Sequence, residues 1–107
     1  MSNRVFILEP VKFSLQGVES FGELLYVFGK GSRRCSVFDQ HFGEVVIEQL
    51  ETYDYDPGKD FLLVTGKVVA LSVSVASIAA AYGQIRLLLF SANLQKYIPR
   101  TIGEGLE

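Results

Sequence analysis

The sequence predicts an α/β domain: a small, open, largely parallel sheet whose crossover helices span about 36–53 and 67–82. Three observations carry that prediction. Residues from Tyr53 to Phe90 read in turn as turn, strand, helix, turn and strand, which is one βαβ unit. Residues 36–53 place apolar side chains at helical spacing. The run at 61–64 is too uniformly apolar for a strand with one face in water and suits a central parallel strand, and 86–90 is the next strand.

In chain order, Arg4 to Glu9 is a short β-branched run stopped by Pro10, a buried strand. Residues 11–21 give no clear pattern, although Ser14 could cap a short helix carrying Leu15 and Val18. Leu24 to Phe28 is the second strand, closed by Gly29-Lys30-Gly31-Ser32. Ser36, with Asp39 three residues on, is a helix start signal. Phe38, Phe42, Val45, Val46, Gln49, Leu50 and Tyr53 then share a face, and Glu44, Glu48 and Glu51 lie opposite. Gly43 costs this helix about 1 kcal/mol of propensity. Asp56-Pro57-Gly58 is a turn, with Gly58 suited to the positive φ of type II.

The segment from Val68 to Ser77 admits two readings. Leu71, Val73 and Val75 alternate with Ser72 and Ser74, as in a strand, which would make the chain mostly β. The run Ile78-Ala79-Ala80-Ala81-Tyr82 before Gly83 reads as a helix with a glycine cap. One helix over 67–82 accounts for both parts and supplies the crossover that parallel strands need. On it Val69, Val73, Ala76 and Ala80 would form the packed stripe, with Ser74 on the other face. Leu94 to Ile98 is a final strand at an edge, since Pro99 follows. The expected organisation is one domain over 1–100 and a loose tail over 101–107.

Composition narrows the function classes. A chain of 107 residues with 49% apolar and 21% charged residues is one globular domain. Its net charge of −2 argues against a nucleic-acid or anionic-membrane partner. One cysteine and one histidine make neither an internal disulfide nor a usual zinc site. The N-terminal apolar run is too short for a signal peptide, so the cytoplasm is the expected location. The uncharged stretch Val68 to Ile85 is broken by serines, Gly83 and Gln84, and is read as a buried helix rather than a membrane span.

The middle of the chain resembles a known group. Tyr55-Asp56-Pro57-x-x-Asp60 precedes a strand closing on Thr65-Gly66, followed by the alanine-rich helix and Arg86-Leu87-Leu88-Leu89-Phe90. With Phe21-Gly22-Glu23-Leu24 and Val37-Phe38-Asp39, these segments look like small phage-encoded proteins of unknown function. The resemblance spans roughly Phe21 to Ile98 and implies a phage or prophage source and an α/β fold, but no activity. In those proteins the last strand often ends in tryptophan and aspartate; here Phe90-Ser91 stands instead.

No catalytic motif, Walker A loop or G-x-G-x-x-G is present, and no cofactor is expected. Cys35 follows two arginines, but no base is poised beside it, and it is read as a plain cysteine. Asp54, Asp56 and Asp60 lack the calcium-loop pattern and are read as turn caps. If strands 24–28, 61–65 and 86–90 are parallel, their carboxyl ends share one sheet edge, where ligands of open α/β sheets bind. Lys30, Arg33, Arg34, Thr65, Gly66, Lys67 and Asn93 would gather there, with helix N-termini favouring a phosphate or nucleotide. Lys96, Tyr97 and Arg100 combine an aromatic with cations, a thin basis for single-stranded nucleic acid. The eight phenylalanines, five tyrosines and mean hydropathy of +0.26 favour a non-enzymatic protein that binds another protein or itself.

Overall fold

The computed structural model describes residues 3–9, 15–28, 35–65 and 67–103. Its strands are β1 (Arg4–Ile7), β2 (Glu23–Tyr26), β3 (Phe61–Leu63), β4 (Gln84–Ser91) and β5 (Lys96–Gly103). Two α-helices, α1 (Phe42–Thr52) and α2 (Val68–Tyr82), and a 3-10 turn at Val18–Ser20 complete the described elements. The strands form one sheet in the order β2-β1-β3-β4-β5. The first four are parallel, and β5 returns antiparallel along β4. The expected α/β fold is present, and the mostly-β alternative is not needed.

The chain moves from β1 to β2 in one direction, then crosses back through α1 to β3 on the other side of β1. Right-handed crossovers in opposite directions must lie on opposite faces of the sheet. The packing agrees. Phe6, Leu62, Ile85 and Leu87 meet Phe42, Val46 and Leu50 of α1 and Ala70 and Ile78 of α2 on one face. Val5, Ile7, Phe61, Leu63 and Leu88 meet Val18 on the other, with Leu15 and Phe21 packed beside them. Strands buried on both faces lose the polar alternation of a half-exposed strand, which explains the continuous apolar runs of β1 and β3.

Several expectations change in detail. The helix expected from Ser36 begins at Phe42. Short polar side chains capture the backbone first: Phe38 N–H donates to Ser36 Oγ at 3.2 Å and His41 N–H to Asp39 Oδ1 at 2.8 Å. Phe38, cut off from the helix, is 82% exposed. Gly58 does not take a positive φ, so the expected type II turn is absent. Instead Asp56 Oδ1 accepts from Gly58 N–H, and the Asp56 carbonyl accepts from the amides of Lys59 and Asp60. The last strand occupies Lys96–Gly103 rather than 94–98. Pro99 does not end it, because an edge strand has one side that donates nothing to the sheet. Thr101, Ile102 and Gly103, assigned to the tail by sequence, pair with Arg86, Ile85 and Gln84. The suggested Ser14 cap lies outside the described residues.

Helix α2 matches the expected span and ends as expected. Gly83 takes φ 79° and its N–H donates to the Ala79 carbonyl at 2.9 Å. Its packed stripe is different. Ala70, Ser74 and Ile78 are buried, while Ala76 and Ala80 are exposed. Ser74 therefore faces the sheet, opposite to the sequence reading. A helix without charges carries no amphipathic signal to orient it.

Gly43 has a packing role that its propensity cost conceals. A Cβ built there would stand 2.1 Å from Ser77 Oγ and 3.6 Å from Val73 Cγ1. The α1–α2 contact closes to this distance only because the side chain is absent.

Candidate functional site

The carboxyl edge of the parallel strands is the place the sequence nominates. Thr65 follows β3, Lys67 precedes the first residue of α2, and Asn93 stands in the turn between β4 and β5. Lys30, Arg33, Arg34 and Gly66 lie outside the described residues. The strand order alters the expected geometry. β1 separates β2 from β3, so the loop after β2 begins about 10 Å from β3, two strand spacings away. β4 also continues past its partner: Leu63 pairs with Leu88, and β4 runs on to Ser91. Asn93 therefore stands beyond Thr65 along the strand axis. Lys67, the N-cap of α2, has an extended backbone and makes no side-chain cap hydrogen bond.

At the opposite edge, the carboxylates read as turn caps include one that does more. Asp60 is 2% exposed. Its carboxylate accepts from the Arg4 amide at 3.1 Å, from Arg4 Nη2 at 2.9 Å and from the Asp56 amide at 2.8 Å. Arg4 Nη2 also donates to the Asp54 carbonyl at 2.8 Å, and Nη1 to the Tyr53 carbonyl. The start of β1 is thus tied to the turn that enters β3. Nearby, Arg86 Nη1 donates to the carbonyls of Gly58 and Lys59, and its guanidinium lies 4.2 Å from the centre of the Phe61 ring. The negative charge that Glu51, Asp54, Asp56 and Asp60 bring to this edge is moderated by these two arginines. The Arg4–Asp60 pairing joins residues 56 positions apart, which no local spacing announces.

Two buried polar atoms among the described residues have no hydrogen-bond partner, Tyr55 Oη and Ser74 Oγ. Tyr55 packs edge-on to Phe6 and Tyr82. Burial, then the nearby Asp60 carboxylate, holds its hydroxyl pKa well above the ordinary tyrosine value. Tyr82 is raised as well, by burial and then by Glu51. Neither arrangement positions a nucleophile or a base.

Cys35 Sγ donates to the Ser36 carbonyl at 3.6 Å. His41 is the N-cap of α1 rather than an interior residue, and its ring nitrogens contact Glu44 and Gln40. Among the described residues no His, Cys, Asp and Glu cluster could hold a metal ion. No described helix is long and apolar enough to cross a membrane.

On the sheet face opposite the helices, a groove of about 300 Å³ runs between the 3-10 turn and the β4–β5 hairpin. Phe21, Phe90 and Tyr97 supply its apolar walls, and Gln16, Ser20, Gln95 and Lys96 its polar rim. Phe90 and Tyr97 meet edge-on at 5.2 Å, so Tyr97 does have a second aromatic beside it. Arg100 does not join them. Tyr97 lies opposite Phe90 and Arg100 opposite Leu87, so alternation puts them on opposite faces of the sheet. The trio Lys96, Tyr97 and Arg100 is split.

The helix-side surface has a different character. On α2, Val68, Val69, Ser72, Ala76, Ala80 and Ala81 are exposed, and the helix contains no charged residue. Beside it, α1 exposes Glu44, Glu48 and Glu51.

Comparison with known proteins adds a family. A family model described as phage Pam3 gp32-like protein matches residues 4–103, nearly the whole chain. No curated protein matches the chain, and no solved structure does.

Proposed function

The chain belongs to the phage Pam3 gp32-like protein family, and from that premise we propose that it is a non-enzymatic phage protein that works by binding another protein or itself. Its place of action on this reading is the host cytoplasm. The observation that carries the reading is the outer face of α2. A surface helix ordinarily turns charged side chains to water. This one turns Val68, Val69, Ser72, Ala76, Ala80 and Ala81 outward. Val68 is 77% exposed. Small apolar side chains allow another backbone to approach closely, and contiguous exposed apolar surface marks interaction sites.

Light scattering and co-purification test the reading, with Ala76→Glu as the probe. That change places a charge at the middle of the exposed face without entering the core. The expected result is an assembly formed by the natural protein and lost by Ala76→Glu, whose circular dichroism spectrum stays that of the folded chain. A monomer that recovers no phage or host protein, or an assembly indifferent to Ala76→Glu, sinks the reading.

A second reading is a phosphate or nucleotide module at the carboxyl edge. Its support is the start of α2, where the backbone N–H groups of the first turn follow Lys67, which makes no side-chain cap of its own. A ligand at about a hundred times its Kd should add roughly 2.7 kcal/mol of stability. The absence of any thermal shift with inorganic phosphate and common nucleotides, or a shift untouched by Lys67→Ala, disposes of it.

A further inference from the structure

Resting on the protein-binding reading, we propose that the partner at α2 is a second copy of this chain, and that two copies share one helix layer, α1-α2-α2-α1, between their two sheets. The first ground is a step in the molecular surface. α2 packs on β4, and β5 lies beyond it with β4 as its one substantial neighbour among the described elements. The helix-side face of β5 carries Ile98, Arg100 and Ile102, opposite Leu89, Leu87 and Ile85. Ile102 is 45% exposed. The result is a shelf one helix deep, about 10 Å, beside a helix whose own outer face is apolar.

The second ground is how α2 is turned. Val73 and Ser77 lie toward Gly43 of α1. Helical periodicity then puts Val68, Leu71 and Val75 on the opposite flank, above the shelf. A second α2 laid on the shelf meets this flank. The β5 belonging to that second copy then covers Ser72 and Ala76 of the first. A two-fold axis parallel to the helices makes both contacts at once, with each copy filling the other's step, as an isologous interface requires.

Charge selects this axis over the alternative. The exposed ridge of α1 is acidic, through Glu44, Glu48 and Glu51, and β5 exposes Lys96 and Arg100. A two-fold running across the helices would lay α1 on α1, acid against acid. The two-fold along the helices lays β5 of one copy over α2 of the other, with the long Arg100 side chain extending toward the acidic α1 ridge. Both α1 and β5 begin at the carboxyl edge of the sheet, so Arg100, in the middle of β5, faces the later turns of α1, where Glu48 and Glu51 are exposed. Opposite charges in register give specificity as well as attraction.

The test combines cross-linking with a charge exchange. A parallel pair places the two Val68 side chains side by side, whereas an antiparallel pair sets them about 20 Å apart. Light scattering of the natural protein should give twice the chain mass of 11.9 kDa. Val68→Cys in a Cys35→Ser background should oxidise to a disulfide dimer that elutes with the native one. Arg100→Glu should weaken dimerisation at least about tenfold, and adding Glu51→Arg to the same chain should restore it, with circular dichroism confirming that each variant is folded. A monomer at millimolar protein overturns the pairing without overturning binding of some other protein at α2, which co-purification with Ala76→Glu as control decides separately. A dimer that does not cross-link through Val68→Cys, or an Arg100→Glu defect that Glu51→Arg does not repair, overturns it too.

Discussion

Asp60 and Arg4 set the clearest expectation at the residue scale. Asp60→Ala removes the acceptor of two backbone amides and leaves the Arg4 guanidinium with carbonyl partners alone. Breaking a buried ion pair from one side costs about 3–5 kcal/mol. A urea denaturation midpoint within error of the natural protein would show that the brace is dispensable. Tyr55 makes an opposite prediction. Its buried hydroxyl has no partner, so Tyr55→Phe should be neutral or stabilising near neutral pH. The sign of its pH effect follows from the raised pKa. Below about pH 10 both folded and unfolded chains hold the phenol proton. Above it the unfolded chain releases that proton while the folded chain keeps it, so stability falls as pH rises. Thermal melts from pH 9 to 11.5 should decline less steeply for Tyr55→Phe than for the natural protein; parallel declines would remove Tyr55 as the cause. None of this was visible in the sequence, because Asp60, Arg4 and Tyr55 acquire their meaning from burial and from partners far along the chain.

At the scale of elements, α2 is the test of how far pattern reaches. Its extent was legible because an alanine-rich end, a glycine cap and the need for a crossover all agree. Its orientation was not, since fifteen uncharged residues leave nothing polar enough to define an outside. Val75→Pro should cost about 3 kcal/mol or more, through a lost hydrogen bond and a ring clash one turn back. A mild effect on the melting temperature would contradict a continuous helix. The α1–α2 contact predicts the reverse of helix propensity. Gly43→Ala gains about 1 kcal/mol of propensity, yet its methyl group meets Ser77, and overpacking costs about 1–3 kcal/mol. Net destabilisation of Gly43→Ala, relieved by adding Ser77→Gly, is the expected result in chemical denaturation. The start of α1 was misplaced for a related reason: Ser36 and Asp39 are good caps and equally good turn formers, and only packing against the sheet decides between them.

For the whole molecule, the deciding feature is how the sheet ends. The parallel core was legible from its uninterrupted apolar runs, but its order was not, since the sequence does not say that β1 lies between β2 and β3. At the candidate ligand edge, Thr65, Lys67 and Asn93 take their places from that order, and Lys30, Arg33, Arg34 and Gly66 lie outside the described residues. β5 closes one side of the sheet, and Pro99 sits in its middle. Val64 N–H donates to the Leu88 carbonyl at 3.0 Å, so the polar groups of Leu88 point toward β3 and away from β5. Pro99 lies opposite Leu88, which makes theirs a non-hydrogen-bonded pair and turns the Pro99 nitrogen to the free edge. Where another residue would offer an N–H to an incoming strand, proline offers none, a recognised defence of exposed edges. The proposed pairing of two copies uses the face of β5 and leaves this edge blocked. Pro99→Thr restores the missing donor without disturbing the β4 ladder and gives β5 an unbroken row of outward groups. The folded protein should then associate further through its edges, seen as high-molecular-weight species by size exclusion and as thioflavin T binding that rises with concentration. A Pro99→Thr variant that stays at the size of the natural protein would show that the blocked edge is not what limits its assembly.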